Sequence, residues 1–360
     1  MNKVTRLAAP ALALAATIGA PLTVQAAPEF YGRVNVSLDH LSDYPDGSLS
    51  GQLNDVDAGQ SPLEQGWFLE SNSSRLGVRG REPLDVGDLT VLYQLEVGYD
   101  VDGDGGDTFS TRNSFVGLGS VIGEVFAGRY DSPVKMAEGR VDQFNNTAAD
   151  IGGYFFGQRR NSNTLNWKSP KWGGLVMRAQ LAPGEGDQSG DEEKDSLADT
   201  FGLSATWTGG NLYAALAYEH GYQEVDNPAP PPALVDADRD LLRGTLGLAL
   251  GALDLGAMVE QLRIDPDAAG ADRADATSYV VSAGWRLFPR LTLKAQAGRF
   301  DGDDLGYEDD ILTAGADYKL GQQTKVYGLV SASDATVTYP GGLDGDDSGS
   351  LFSVGMEHKF

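Results

Sequence analysis

Apolar and polar residues alternate with a period of two along almost the whole chain, a pattern that suits half-buried strands and not amphipathic helices. Phe30, Val34, Val36 and Leu38 alternate with Tyr31, Arg33, Asn35, Ser37 and Asp39. Val91, Tyr93, Leu95, Val97 and Tyr99 alternate with Gln94, Glu96 and Gly98. Later runs behave alike: Phe201, Leu203, Ala205 and Trp207 against Gly202, Ser204, Thr206 and Thr208, and Tyr279, Val281, Ala283 and Trp285 against Ser278, Ser282, Gly284 and Arg286. Each such segment has one apolar and one polar face.

The connections between these runs alternate between short and long. Thr208-Gly209-Gly210-Asn211, Leu250-Gly251-Ala252, Phe288-Pro289-Arg290 and Leu320-Gly321-Gln322-Gln323 carry tight-turn chemistry. The stretches 101–110, 183–197, 222–238, 265–276 and 337–349 are long, polar and rich in acidic residues. Tight turns at one end and long polar loops at the other describe an all-β, transmembrane antiparallel barrel with strands of about ten residues. Strand starts near Phe30, Trp67, Leu89, Thr111, Glu124, Arg160, Leu175, Thr200, Leu212, Asp240, Leu253, Thr277, Leu291, Ile311, Lys325 and Ser350 give about sixteen strands, an even number as bacterial barrels require. A soluble β-sandwich also alternates, but a chain of this length would divide into domains joined by a linker, and none is visible. The mature chain has no run of about 20 apolar residues that would form a membrane helix. The nearest candidate, Leu241 to Ile264, is broken by Arg243, Asp254, Glu260 and four glycines, and reads better as a hairpin.

Residues 1–26 stand apart. Lys3 and Arg6, an apolar stretch from Leu7 to Leu22, and Val24-Gln25-Ala26 before Ala27 form a secretory signal expected to be cut after Ala26. The expected domain organisation is therefore a signal peptide over 1–26 and one barrel over 27–360. Composition excludes several chemistries. With no cysteine there is neither a disulfide nor a thiolate metal site, and three histidines leave little for an imidazole relay. Against 27 basic residues stand 52 acidic ones, so the formal net charge of −25 repels nucleic acid.

Tyr31-Gly32-Arg33, Ser74-Arg75-Leu76-Gly77-Val78-Arg79-Gly80, Thr111-Arg112-Asn113-Ser114-Phe115-Val116-Gly117-Leu118, Gly128-Arg129-Tyr130-Asp131-Ser132-Pro133 and a terminal Phe360 resemble the general diffusion porins of Gram-negative bacteria. The resemblance runs in order from Phe30 to Phe360 and is densest before Ser169. It implies a homotrimer of sixteen-stranded barrels, each with a long third loop folded into its lumen. It further implies passive diffusion of small hydrophilic solutes and ions across the outer membrane, reached through the periplasm. Outer-membrane lipid and lipopolysaccharide would surround the barrel, and the outer-membrane assembly machinery would read the last strand. In that strand Phe352, Val354, Met356, His358 and Phe360 share one face and end on the aromatic residue such signals resemble.

Segment 131–159 is too long for an ordinary hairpin loop. It carries Asp131, Glu138, Asp142 and Asp150, with Lys135 and Arg140. Parity puts Arg33, Arg75, Arg79, Arg112 and Arg160 on the lumen side, opposite Val34, Leu76, Val78, Phe115 and Leu165. A basic wall would then face an acidic loop, and a transverse field across that gap would favour polar solutes. By resemblance Arg33, Arg75 and Arg112 match wall positions of such a constriction. Asp100-Val101-Asp102-Gly103-Asp104-Gly105 opens like a calcium loop, but Thr111 stands where the bidentate Glu belongs, so a solvated acidic loop is expected and no metal or cofactor is assigned. No histidine sits in a defensible nucleophile pattern, and no enzyme is expected. The alternatives are a substrate-specific channel, which would often show an aromatic run or dense arginine ladder, and a secreted or surface-attached adhesive β-protein, soluble without detergent.

Overall fold

The computed structural model describes residues 27–45, 63–103, 108–184, 196–227, 233–266, 272–339 and 343–360. The proposed signal over 1–26 and Asp104 lie outside them. Strand segments are β1 (Glu29–Pro45), β2 (Leu63–Ser71), β3 (Arg75–Pro83), β4 (Thr90–Tyr99), β5 (Phe109–Thr111), β6 (Ser114–Ser120), β7 (Gly123–Asp131), β8 (Arg160–Lys168) and β9 (Leu175–Ala182). They continue with β10 (Thr200–Gly209), β11 (Leu212–Asn227), β12 (Ala233–Leu250), β13 (Leu253–Pro266), β14 (Ala274–Phe288), β15 (Leu291–Gly302), β16 (Tyr307–Lys319), β17 (Thr324–Tyr339) and β18 (Leu343–Lys359). Every neighbouring pair is antiparallel, and β18 pairs back onto β1 from Arg33↔Lys359 to Ser42↔Ser350, closing the sheet into a barrel. Both β2 and β3 pair with β1, and both β5 and β6 with β4, so the eighteen segments make sixteen barrel strands.

The alternation read from the sequence decides which face turns outward. Val34, Leu38, Leu95, Leu203, Leu246, Val281 and Leu312 are exposed on the outer face, while their polar neighbours are buried on the inner one. Two-residue turns at Gly210-Asn211 and Gly251-Ala252 place a glycine at φ +56° and +67°, the left-handed geometry that matches strand twist in a hairpin. The Leu241–Ile264 stretch is the hairpin β12–β13.

Strand length departs from expectation. Two of the supposed long loops are largely ladder, β11 and β12 pairing out to Asn227↔Ala233 and β17 and β18 to Tyr339↔Leu343, and a third, 265–276, is shortened at both ends by strands that pair out to Ile264↔Ala274. Alternation fades once neither face needs to be apolar, but backbone pairing does not require it.

Parity also fails at three one-residue bulges. Four residues of β1, Arg33 to Val36, oppose five from Ser71 to Arg75, around Ser73 at φ 55°. Four residues of β4, Gln94 to Val97, oppose five from Thr111 to Phe115. In β8 the extra residue is Asn163, at φ 56°. Each bulge flips the side-chain sequence to the other face. Phe115 therefore does not oppose Arg112. It shares the inner face and joins Phe126 and Tyr130 in a ring cluster, with centroids 4.6 and 5.3 Å away, while Val116 and Leu118 turn outward. The parity argument for Arg160 against Leu165 is likewise interrupted at Asn163.

Candidate pore constriction

Residues 132–159, between β7 and β8, leave the barrel wall and pack against inner-face side chains of distant strands. The segment begins with a single helical turn, α1 (Pro133–Met136), capped by Ser132 Oγ accepting from Lys135 N at 3.1 Å. Arg243 of β12 donates to Val134 O at 3.1 Å, and Glu260 of β13 accepts from Gly157 N at 3.0 Å. The Arg243 and Glu260 side chains pair at 2.8 Å through Nε and are completely buried. Tyr213 Oη donates to Ala137 O at 3.0 Å, Ser278 Oγ to Tyr154 O at 2.6 Å, and Asn35 Nδ2 to Asn146 O at 2.7 Å.

An apolar seat accompanies these bonds. Val134, Val141, Ile151, Phe155 and Phe156 of the segment pack with Leu241, Met258, Leu262, Val280, Phe300 and Ile311 of β12–β16, all buried. Part of the inner face of β12–β16 is thus apolar, which the polar-lumen expectation missed. Signals were available: paired apolar residues at Leu241-Leu242 and Val280-Val281 interrupt the alternation, and Tyr154-Phe155-Phe156 is too apolar for a solvated loop.

Opposite that seat lies a polar cavity of about 600 Å³, lined from the wall by Arg75, Glu96, Arg112, Asp131 and Arg160 and from the segment by Lys135, Asn146 and Asp150. Arg112 Nε donates to Glu96 Oε1 at 2.7 Å, and Arg75 Nε lies 3.7 Å from Glu96 Oε2. Tyr31 Oη donates to the same carboxylate at 2.9 Å. Arg33 pairs with Glu357 at 3.1 Å across the closing seam and also bonds Asn146 of the segment. Arg160 pairs with Asp131 at 3.0 Å and donates to Asn113 Oδ1 at 2.7 Å. Asp150 accepts from Asn146 N at 2.6 Å and Gly152 N at 2.8 Å, shaping the short 3-10 turn Ile151–Gly153. Glu96, Glu357 and Asn113, which neutralise or orient the arginines, were not singled out in the sequence. Glu96 could have been, since it sits on the polar face of its strand.

Other expected site residues lie elsewhere. Arg79 is exposed, forms a bidentate pair with Glu29 at 2.7 and 2.9 Å, and does not line the cavity. Glu138 and Asp142 line a separate cavity of about 890 Å³ near the tight turns, with Lys294, Lys319 and Lys325. Burial, with Asp150 nearby, pushes the Glu138 carboxyl up to about 7 despite a hydrogen bond from Gln158. Burial also raises Asp142, helped by Asp150 and Glu138, and lowers Lys135. Asp100 and Asp102 form part of no metal-ligating group among the described residues. Phe360 closes the seam: Gly32 N donates to its carbonyl at 2.9 Å, and its ring occupies the space where a Cβ on Gly32 would project.

The Gram-negative porin family model matches residues 7–337. The chain belongs to the Gram-negative porin family. It forms a water-filled outer-membrane channel for passive diffusion of small hydrophilic solutes and ions. This porin is 24% identical over 357 residues to the major outer membrane protein P.IA of Neisseria meningitidis, covering 87% of this chain and 88% of the relative. It is 26% identical over 297 residues to P.IB of Neisseria gonorrhoeae, covering 77% and 82%. In fold it is similar to an anion-selective porin from Comamonas acidovorans (TM-score 0.73, 20% identity, 93% of this chain and 99% of that one). The trimer form of OmpT from Vibrio cholerae is also similar (TM-score 0.66, 17% identity, 93% and 99%).

Proposed function

We propose that the porin works as a non-enzymatic homotrimer, exported by cleavage after Ala26, in which segment 132–159 narrows each lumen against the wall of Arg33, Arg75, Glu96, Arg112 and Arg160. The observation carrying this reading is the shared cavity of about 600 Å³, whose lining comes both from the wall and from the segment. A solute crossing there meets charged groups on every side, which favours hydrated polar molecules over apolar ones. Because each wall arginine faces a carboxylate within the wall or at the root of the segment, the field is weaker than a bare basic wall would create. Ion preference is then set largely by the acidic surplus of the whole chain and is weakly cationic. Phe360 at the seam supports the reading of the last strand as the assembly signal, and the outward apolar rows suit contact with outer-membrane lipid and lipopolysaccharide. Conductance of the purified protein in a planar bilayer tests the reading. Steps arriving in threes with a linear current–voltage relation are expected; a protein that inserts and passes no current would overturn it.

A further inference from the structure

A second cavity, of about 510 Å³, lies beside the first and is lined by Phe155, Phe156, Arg159, Arg160, Asn161 and Thr200, among others. Among the described residues its lining holds two guanidinium groups and no carboxylate, in a chain whose formal charge is −25. The surrounding charges can be followed group by group. Arg160 is committed to Asp131 and Asn113. Behind the cavity Arg239 is paired with Glu219 at 2.6 Å, both essentially inaccessible to solvent, and its Nε and Nη1 have no hydrogen-bond partner among the described residues. Asn161 spans the gap to that pair, donating to Gln180 at 2.8 Å and to Glu219 at 3.4 Å. Arg159 has no ion pair among the described residues, though its backbone is fixed by Ser132 N donating to its carbonyl at 3.1 Å. Among the described residues three guanidinium groups thus share two carboxylates, and Arg159 is the surplus cation.

We propose that this cavity is a binding subsite for a small organic carboxylate, held bidentately by Arg159 with its apolar body against Phe155 and Phe156. The inference rests on the channel reading above and adds a class of solute to it. A planar guanidinium matches a carboxylate with two parallel N–H···O bonds, which a point-charge lysine cannot reproduce. Burial, and Arg239 nearby, lower the Arg159 pKa to about 10 against the longer-range attraction of Glu219, which still leaves it charged at neutral pH. The volume falls within the range that encloses small ligands.

Saturation-transfer NMR with benzoate and the detergent-solubilised full-length protein tests the subsite without requiring ion flow. Benzoate should bind, and its neutral isostere benzamide should bind far more weakly. Arg159→Gln should raise the half-saturating benzoate concentration about tenfold or more, as expected for loss of a charge-assisted pair, and Arg159→Lys should recover only part of it. Benzoate and benzamide binding alike, or an unchanged half-saturating concentration in Arg159→Gln, would overturn the subsite. Benzoate binding by a protein that passes no current in the bilayer would instead overturn the channel reading and leave the subsite standing.

Discussion

Glu96 holds two wall arginines and a tyrosine hydroxyl at once, so the charge presented to a passing ion depends on this one carboxylate. Glu96→Gln uncovers Arg75 and Arg112 and adds one unit of positive charge to the wall. Reversal potentials across a salt gradient should move toward anions, whereas neutralising Arg75 and Arg112 together should move them toward cations; unchanged potentials in both would remove these residues from the conduction path. Glu138 makes a different prediction. Its carboxyl is raised from 4.5 to about 7 in the folded protein, so between those values the folded state holds a proton that the unfolded chain has lost. Docking of the segment is therefore firmest below about pH 4.5, weakens as pH rises to about 7, and levels off above it. Protease nicking within 132–159 should increase over that window, less steeply in Glu138→Gln, where the raised Asp142 carboxyl still titrates, and should become flat only when Asp142→Asn is added. At this scale the sequence was only partly readable. Arg33 could be placed by alternation alone, but Arg75, Arg112 and Arg160 each sit beside a bulge, and a bulge leaves no trace in a period-two pattern.

The docked segment is held by two unlike attachments. Completely burying a large apolar side chain such as Phe144, Ile151 or Phe155 contributes about 1.5–3 kcal/mol each. The Arg243–Glu260 pair adds position more than stability: its desolvation cost offsets much of its attraction, while leaving Arg243 buried without its partner would cost about 3–5 kcal/mol. Gly157 is where the chain passes closest to that pair. A Cβ there would overlap the Glu260 carboxylate and a Val134 methyl, although the backbone conformation is ordinary. Gly157→Ala should lift the segment from its seat, producing noisier and larger single-channel currents while leaving the melting of the barrel within a few degrees of the parent. A quiet channel of unaltered size would show that the seat tolerates the methyl group. Individual strands and tight turns were legible because each follows from local chemistry. The seat was not, because it brings residues 134–157 onto strands about a hundred positions later, and only the doubled apolar residues of those strands hinted at it.

At the scale of the whole molecule the acidic surplus governs what reaches the constriction. Removing the leader with Lys3 and Arg6 would take the net charge from −25 to −27, and among the described residues Asp100, Asp102, Asp238, Asp265, Asp275, Glu308 and Asp310 lie toward the end opposite Phe360. Such a mouth concentrates cations by long-range attraction, which falls off over a Debye length of about 10 Å at 0.1 M salt. Charges lining the narrow cavity act over a few ångströms and are screened much less. Two regimes follow. At low salt the mouth dominates and the channel should prefer cations. As salt rises that preference should shrink toward whatever the paired groups around Glu96 impose, which is close to neutral because Arg75, Arg112, Arg33 and Arg160 each face a carboxylate. Reversal potentials measured over a series of salt concentrations with a constant gradient ratio separate the two contributions. A preference independent of concentration would place the selecting charges in the constriction alone. A strong anion preference at low salt would mean that cations without an ion pair among the described residues, such as Arg159, outweigh the acidic mouth, reversing the sign argued here.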